Sequence, residues 1–386
     1  MSLEQEFGGC YVPEALYGPL QEVRKAFEEA LESESFREKQ RRLFRYRVGR
    51  PTALTHLAIL SEEAGGAQIW AKREDLCQSG SFLGLSAFSQ ALLATEMGRT
   101  EIFGETGTGD FGVALGSAGA ALGLKVKVFM KRDDMAASPF NVERMKKLGV
   151  EIVAAEGSYP GRRQAQAQAL RYLAGSSNVA FYATSSLASP EPYPQILEDG
   201  LSLLGQEALE DLRERGVVPE YVVASMGTGS FALGLLKAFQ GSSQLVGVQS
   251  HGDQGQTRGA DSMGRGRPGV FLGTRSMVLS DEDGQVELTH TQATGLAMPA
   301  AGPQHARWLK AGIAHYATIS DAQARAARRM LVKREGIFAS LETGYGLAYA
   351  LELARTGSPD EVILVGISGA GLGELGSDLL QNEESR

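Results

Sequence analysis

The stretch Ala71-Lys72-Arg73-Glu74-Asp75-Leu76-Cys77-Gln78-Ser79-Gly80-Ser81-Phe82-Leu83-Gly84-Leu85 joins a run of strand character, residues 68–71, to an Ala/Leu-rich segment of helical length, 86–97. A glycine-bounded turn between a strand and a helix is the unit from which helix-flanked sheets are built. Strand-like runs at 101–103, 126–130, 151–153, 179–183, 221–224, 245–248 and 362–366 repeat it, with helical lengths between them. Two of those helices, 112–122 and 233–239, again follow glycine turns. The alternation predicts an α/β fold with mostly parallel twisted sheets flanked by helices. At 386 residues the chain exceeds the size of one core. A composition shift near 185–194 predicts domains at 1–200 and 201–386, with about 50–80 crossing to the second.

The quoted stretch resembles the cofactor-lysine segment of the tryptophan synthase β subunit family, whose members are fold-type II pyridoxal phosphate (PLP) enzymes. There the segment runs Lys-Arg-Glu-Asp-Leu, a few residues, then Gly-x-His-Lys-x-Asn, and the last Lys holds PLP as a Schiff base. The resemblance extends through Phe7-Gly8-Gly9, Gly49-Arg50-Pro51-Thr52, Gly104-Glu105-Thr106-Gly107-Thr108-Gly109, Ser138-Pro139, Pro192-Tyr193-Pro194, Gly227-Thr228-Gly229-Ser230, Gly302-Pro303-Gln304-His305 and Leu341-Glu342, in order. It implies a two-domain scaffold and at least a homodimer, with a synthase α-type subunit as a possible partner.

The departures lie where the cofactor would be held. Phe82, Leu83 and Leu85 stand at the His, Lys and Asn positions, and Phe231 replaces the Asn after the phosphate loop. Burying the PLP phosphate and ring without polar partners is costly, whereas filling the space with side chains is favourable. No PLP cofactor is therefore expected. Gly227, Thr228, Gly229 and Ser230 are either an anion cradle or a glycine turn for close helix packing. Ser368 matches the residue that bonds the PLP pyridine nitrogen, or is turn chemistry between glycines. Ala137 and Ala297 occupy the positions of an Arg–Asp pair that locks the family's closed state.

The aromatic-substrate half looks retained. In the family, the Glu at position 105 engages the indole N–H, and the loop at Thr106, Gly107, Thr108, Gly109, Asp110 and Phe111 holds a carboxylate on its amides. Glu105 either acts as a base or stays ionised and orients a donor. The expectation is a PLP-independent enzyme forming a bond at the nucleophilic carbon of an indole-like substrate, in a pocket remade by Phe82, Leu83, Leu85 and Phe231. A catalytically silent partner or indole sensor, and a lyase or synthase with non-covalent PLP, remain as alternatives.

Charge and composition narrow the field. A net charge of −8 argues against general nucleic-acid binding. No apolar run is long enough to span a bilayer, so a cytoplasmic protein is expected. Cys10 and Cys77 carry no partner motif, and the five histidines include no metal-ligand spacing, so no metal is expected. The basic run 37–50 reads as a solvated helix face with Phe36, Leu43 and Phe44 inward. Leu20, Val23, Phe27 and Leu31 predict an amphipathic helix from Pro19, and 251–273 reads as a long surface loop.

Overall fold

The computed structural model describes residues 6–252 and 259–375. Its N-terminal helix, Glu14–Glu32, begins before Pro19 and buries Leu16, Leu20, Val23 and Phe27, while Leu31 faces outward. The next helix, Glu34–Leu43, is capped by the Ser33 side chain accepting from the Phe36 N–H. Phe36 and Phe44 turn inward and Leu43 is half-buried, but the basic run is not wholly solvated. Arg50 is buried between Glu74 and Glu207.

The chain then enters the larger sheet through β1 (Leu54–His56) and β2 (Gln68–Arg73), which pair antiparallel. It leaves to form β3 (Glu101–Thr106), β4 (Lys125–Lys131), β5 (Glu151–Ala155) and β6 (Ala180–Ala183), a parallel sheet in the order β5-β4-β3-β6. Next come β7 (Tyr221–Ser225) and β8 (Gln244–Ser250), then a separate hairpin of β9 (Arg267–Phe271) and β10 (Thr274–Val278). Finally β11 (Ala314–Ile319) and β12 (Val362–Ile367) return to the larger sheet, whose order is β1-β2-β12-β7-β8-β11.

The central strand β12 reads Val-Ile-Leu-Val-Gly-Ile and is buried at every position. Such an unbroken apolar run is the signature of a parallel strand covered on both faces. The expected surface loop at 251–273 is corrected by the hairpin and by a helical turn, Ser262–Arg265; residues 253–258 lie outside the described ones. The missed strand β11 reads Ala-His-Tyr-Ala-Thr-Ile and is only partly buried, with His315 and Thr318 exposed, as suits a sheet edge, so it lacks the apolar run of the central strands.

A buried ionic cluster joins the segments that cross between sheets. The Lys72 ammonium donates to the Thr52 carbonyl at 2.8 Å and pairs with Glu207 at 2.9 Å. The Arg50 guanidinium bonds Glu207 through Nε at 3.0 Å and also reaches Glu74, which accepts from the Thr52 hydroxyl at 2.7 Å. Each buried charge has an opposite charge against it, which is the condition for tolerating it in the interior.

Candidate functional site

Four strand-end turns meet at one cavity, alongside other segments: the turn after β2, and the carboxyl ends of β3, β7 and β12. Open parallel sheets present their ligand sites at such ends because the turns there lead into helix N-termini. The cavity measures about 120 Å³, where about 10–15 Å³ accommodates one water on that measure. It has room for a small molecule.

The turn after β2 brings Ser81, Phe82 and Leu83 to the wall. The following helix starts earlier than the sequence suggested, at Leu83, because the Phe82 N–H bonds the Ser368 carbonyl at 3.1 Å and fixes the entry. Leu83 therefore stands on the first helical turn, facing the cavity. Leu85 does not: it is wholly buried in the core and absent from the wall. The Phe82 and Phe231 rings meet at 5.0 Å between centroids, tilted by 48°. Phe231 also packs over Gly366, where an added Cβ would come within 2.5 Å of its ring.

The β7 turn supplies Gly227, Thr228, Gly229 and Ser230. Its shape is set by packing. The Leu187 N–H donates to the Thr228 hydroxyl at 3.3 Å, and the Gly302 N–H to the Thr228 carbonyl at 2.8 Å. Gly229 has φ +96°, and a Cβ there would lie 2.2 Å from the His305 ring. His305 Nε2 bonds the Gly229 carbonyl at 2.8 Å, which places the proton on that nitrogen. Burial holds His305 down to about 4, so the ring is neutral. Beyond β12, the Ser368 hydroxyl lies 3.2 Å from that of Thr343 and 3.4 Å from that of Ser340.

The β3 turn brings Thr106, Gly107, Thr108, Asp110 and Phe111 to the wall. Gly109, at φ +87°, turns away against Asn141 and donates its N–H to the Thr106 hydroxyl at 3.1 Å. The Asp110 carboxylate accepts from the Thr108 hydroxyl at 2.8 Å and the Asn141 amide at 2.9 Å. Burial, more than any neighbour, raises its pKa.

Glu105 is the main correction. It is wholly buried and is not on the cavity wall. One carboxylate oxygen accepts from the Thr184 hydroxyl at 2.7 Å and from Arg162 Nη2 at 3.0 Å; the other accepts from the Tyr182 hydroxyl at 2.8 Å. Burial first, and then the Glu105 charge, push the Tyr182 phenol well above its ordinary value, so it stays a donor. With three donors already on it, Glu105 is screened from a ligand, and Arg162 is the group presented instead.

Arg162, Ser185, Thr294, Leu296, Ser340 and Glu342 were not among the expected site residues, yet all line the cavity. Glu342 accepts from the Gly295 N–H at 3.1 Å. It was visible only as part of a matching block, and Arg162 carries no sequence signal because its partner is 57 positions away. Ala137 ends the helix Arg132–Ala137, and Ala297 follows the turn Thr294–Leu296; neither carries a side-chain charge.

The wall does not fit PLP held as a Schiff base. No lysine is among the residues lining the cavity. Lys72 is committed to Thr52 and Glu207, Lys131 pairs with Asp133 at 3.1 Å, and Lys237 pairs with Glu198. Two aromatic rings stand where polar partners of the cofactor would be needed. Among the described residues no group of His, Cys, Asp and Glu could hold a metal ion, and no helix is long and apolar enough to cross a membrane.

Residues 46–369 match the family described as pyridoxal-phosphate dependent enzyme. The chain is 39% identical over 369 residues to the tryptophan synthase beta chain of Stenotrophomonas maltophilia (strain R551-3), covering 95% of this chain and 91% of that one. It is 38% identical over 371 residues to the tryptophan synthase of Saccharomyces cerevisiae, covering 95% of this chain and spanning about half, 52%, of that longer protein. Among solved structures, an O-ureido-L-serine synthase aligns with a TM-score of 0.65 at 19% identity over 86% of this chain and 92% of that one. The cysteine synthase of Entamoeba histolytica aligns at 0.64 and 19% identity, over 86% and 89%. These two likenesses bear on the fold alone.

Proposed function

Because the chain belongs to the pyridoxal-phosphate-dependent enzyme family and is similar throughout to tryptophan synthase β chains, we propose that it is a member that works without a PLP Schiff base on an indole-like aromatic substrate. The observation that carries this reading is Leu83 on the cavity wall at the position of the family lysine, with no other lysine there. Formation of an internal aldimine requires an amine, and so does the usual proton transfer at a substrate α-carbon.

The chemistry proposed is bond formation at the nucleophilic ring carbon. Phe82, Leu83, Phe111 and Phe231 provide an apolar surface for a flat ring, held by burial and ring contacts. The ring carbon adds to an electrophilic carbon of the second reactant, whose electron pair moves onto its own acceptor atom. The proton then lost from the ring passes to Asp110, a carboxylate on the wall with raised proton affinity. Glu105 is a positioning residue that acts through Arg162. A homodimer is the proposed assembly, read by light scattering during size-exclusion chromatography.

The test incubates purified protein with PLP, reduces with borohydride and measures intact mass, while indole binding is followed by calorimetry. The reading predicts saturable indole binding and no reduced adduct. A stoichiometric adduct on a lysine, with tryptophan formed from serine and indole, would show an ordinary PLP-dependent synthase instead.

A further inference from the structure

We propose that Arg162 determines the specificity of the cavity, and that the natural ligand carries a carboxylate that docks on the free Nη1 end of its guanidinium. The inference rests on the aromatic reading above and adds the charge of the substrate.

A guanidinium has five N–H donors in a planar fork. Arg162 spends only Nη2, on Glu105 and on the Ser185 hydroxyl, each at 3.0 Å. Nη1 has no partner among the described residues, and Nε is buried with none. A donor left unpaired beside the cavity is costly, and a carboxylate oxygen brought to Nη1 would relieve that cost. The two bonds through Nη2 fix the plane of the fork in advance, so less conformational entropy is lost when a ligand pairs with it.

Placement supports the same choice. Arg162 and Thr294 line both the central cavity and a neighbouring one of about 180 Å³, which also includes Arg163 and His290. Arg162 therefore stands where the two cavities adjoin. The other charged groups on the central wall, Asp110 and Glu342, are carboxylates that repel an anion. Arg162 is the one cationic side chain lining that cavity among the described residues, so an anionic group has a single favourable position.

Calorimetric titrations with indole, indole-3-acetate and succinate, on the full chain and on Arg162→Met and Arg162→Lys, test the inference. Wild type should bind indole-3-acetate about tenfold or more tighter than indole, the factor expected of a charge-assisted hydrogen bond. Arg162→Met should bring the ratio to about one, and Arg162→Lys should keep part of it, since an ammonium retains the charge without the fork. The wild-type preference should also shrink as salt rises, a measurement that needs no variant. Equal ratios in wild type and Arg162→Met would overturn the role of Arg162 and leave the aromatic reading standing. Succinate bound through Arg162, with neither indole compound bound, would support the anion site and overturn the aromatic reading. Failure of all three probes to bind would overturn both.

Discussion

Glu105→Gln separates a carboxylate that touches the ligand from one that holds Arg162 in place. Both oxygens of Glu105 are occupied, by Tyr182, Thr184 and Arg162, within an interior where the Arg162 side chain is only 15% exposed. Glutamine keeps the shape and can still accept from Thr184 and Arg162 while its amide donates to the Tyr182 oxygen. What is lost is the counter-charge of Arg162, on the order of a hydrogen bond to a charged group, about 1.5–3 kcal/mol. Glu105→Ala removes the acceptors of Thr184, Tyr182 and Arg162 as well as the counter-charge, and should cost about 3–5 kcal/mol. Urea denaturation of wild type, Glu105→Gln, Arg162→Met and the double variant reads these values from midpoint shifts at constant slope. The double variant should be less destabilised than the sum of the singles, by about 1.5–3 kcal/mol. Additive effects, with Glu105→Gln within about 0.5 kcal/mol of wild type, would mean that the pair does not form in solution, and Glu105 would again be free to meet a ligand.

Phe231→Ala should cost about 3–5 kcal/mol, as for other large-to-small core changes, because the ring packs between Phe82 and Gly366; calorimetric melting checks it. Leu83→Lys alone should not form a borohydride-reducible PLP adduct, whereas Leu83→Lys combined with Phe82→His and Phe231→Asn should, as read by intact mass. His305 gives the fold a pH dependence. Its folded value, about 4, lies below its ordinary 6.5 because the neutral ring is buried. Its contribution is therefore complete above about 6.5 and lost as pH falls to about 4, on the order of 3 kcal/mol in all. Urea midpoints should fall across that window in wild type, and less steeply in His305→Gln.

The sheets were legible because burial on two faces demands continuous apolar runs, and β12 and β7 are such runs. The apolar character of position 83 was legible too, since a leucine side chain carries no nitrogen whatever its surroundings. Residue identity decides which functional groups exist. Their accessibility is a matter of packing: a carboxylate at the end of β3 can meet a ligand or be sealed by donors from elsewhere in the chain. Tyr182, Thr184 and Arg162 come to Glu105 across 77, 79 and 57 positions, and no local spacing records such a meeting. Sequence alone thus determined the scaffold and the absence of a side-chain amine at position 83, because both follow from residue type and period. Only the tertiary structure decided that Glu105 is enclosed and that Arg162 faces the cavity, because hydrogen bonds between distant segments are fixed by how the sheets and helices pack.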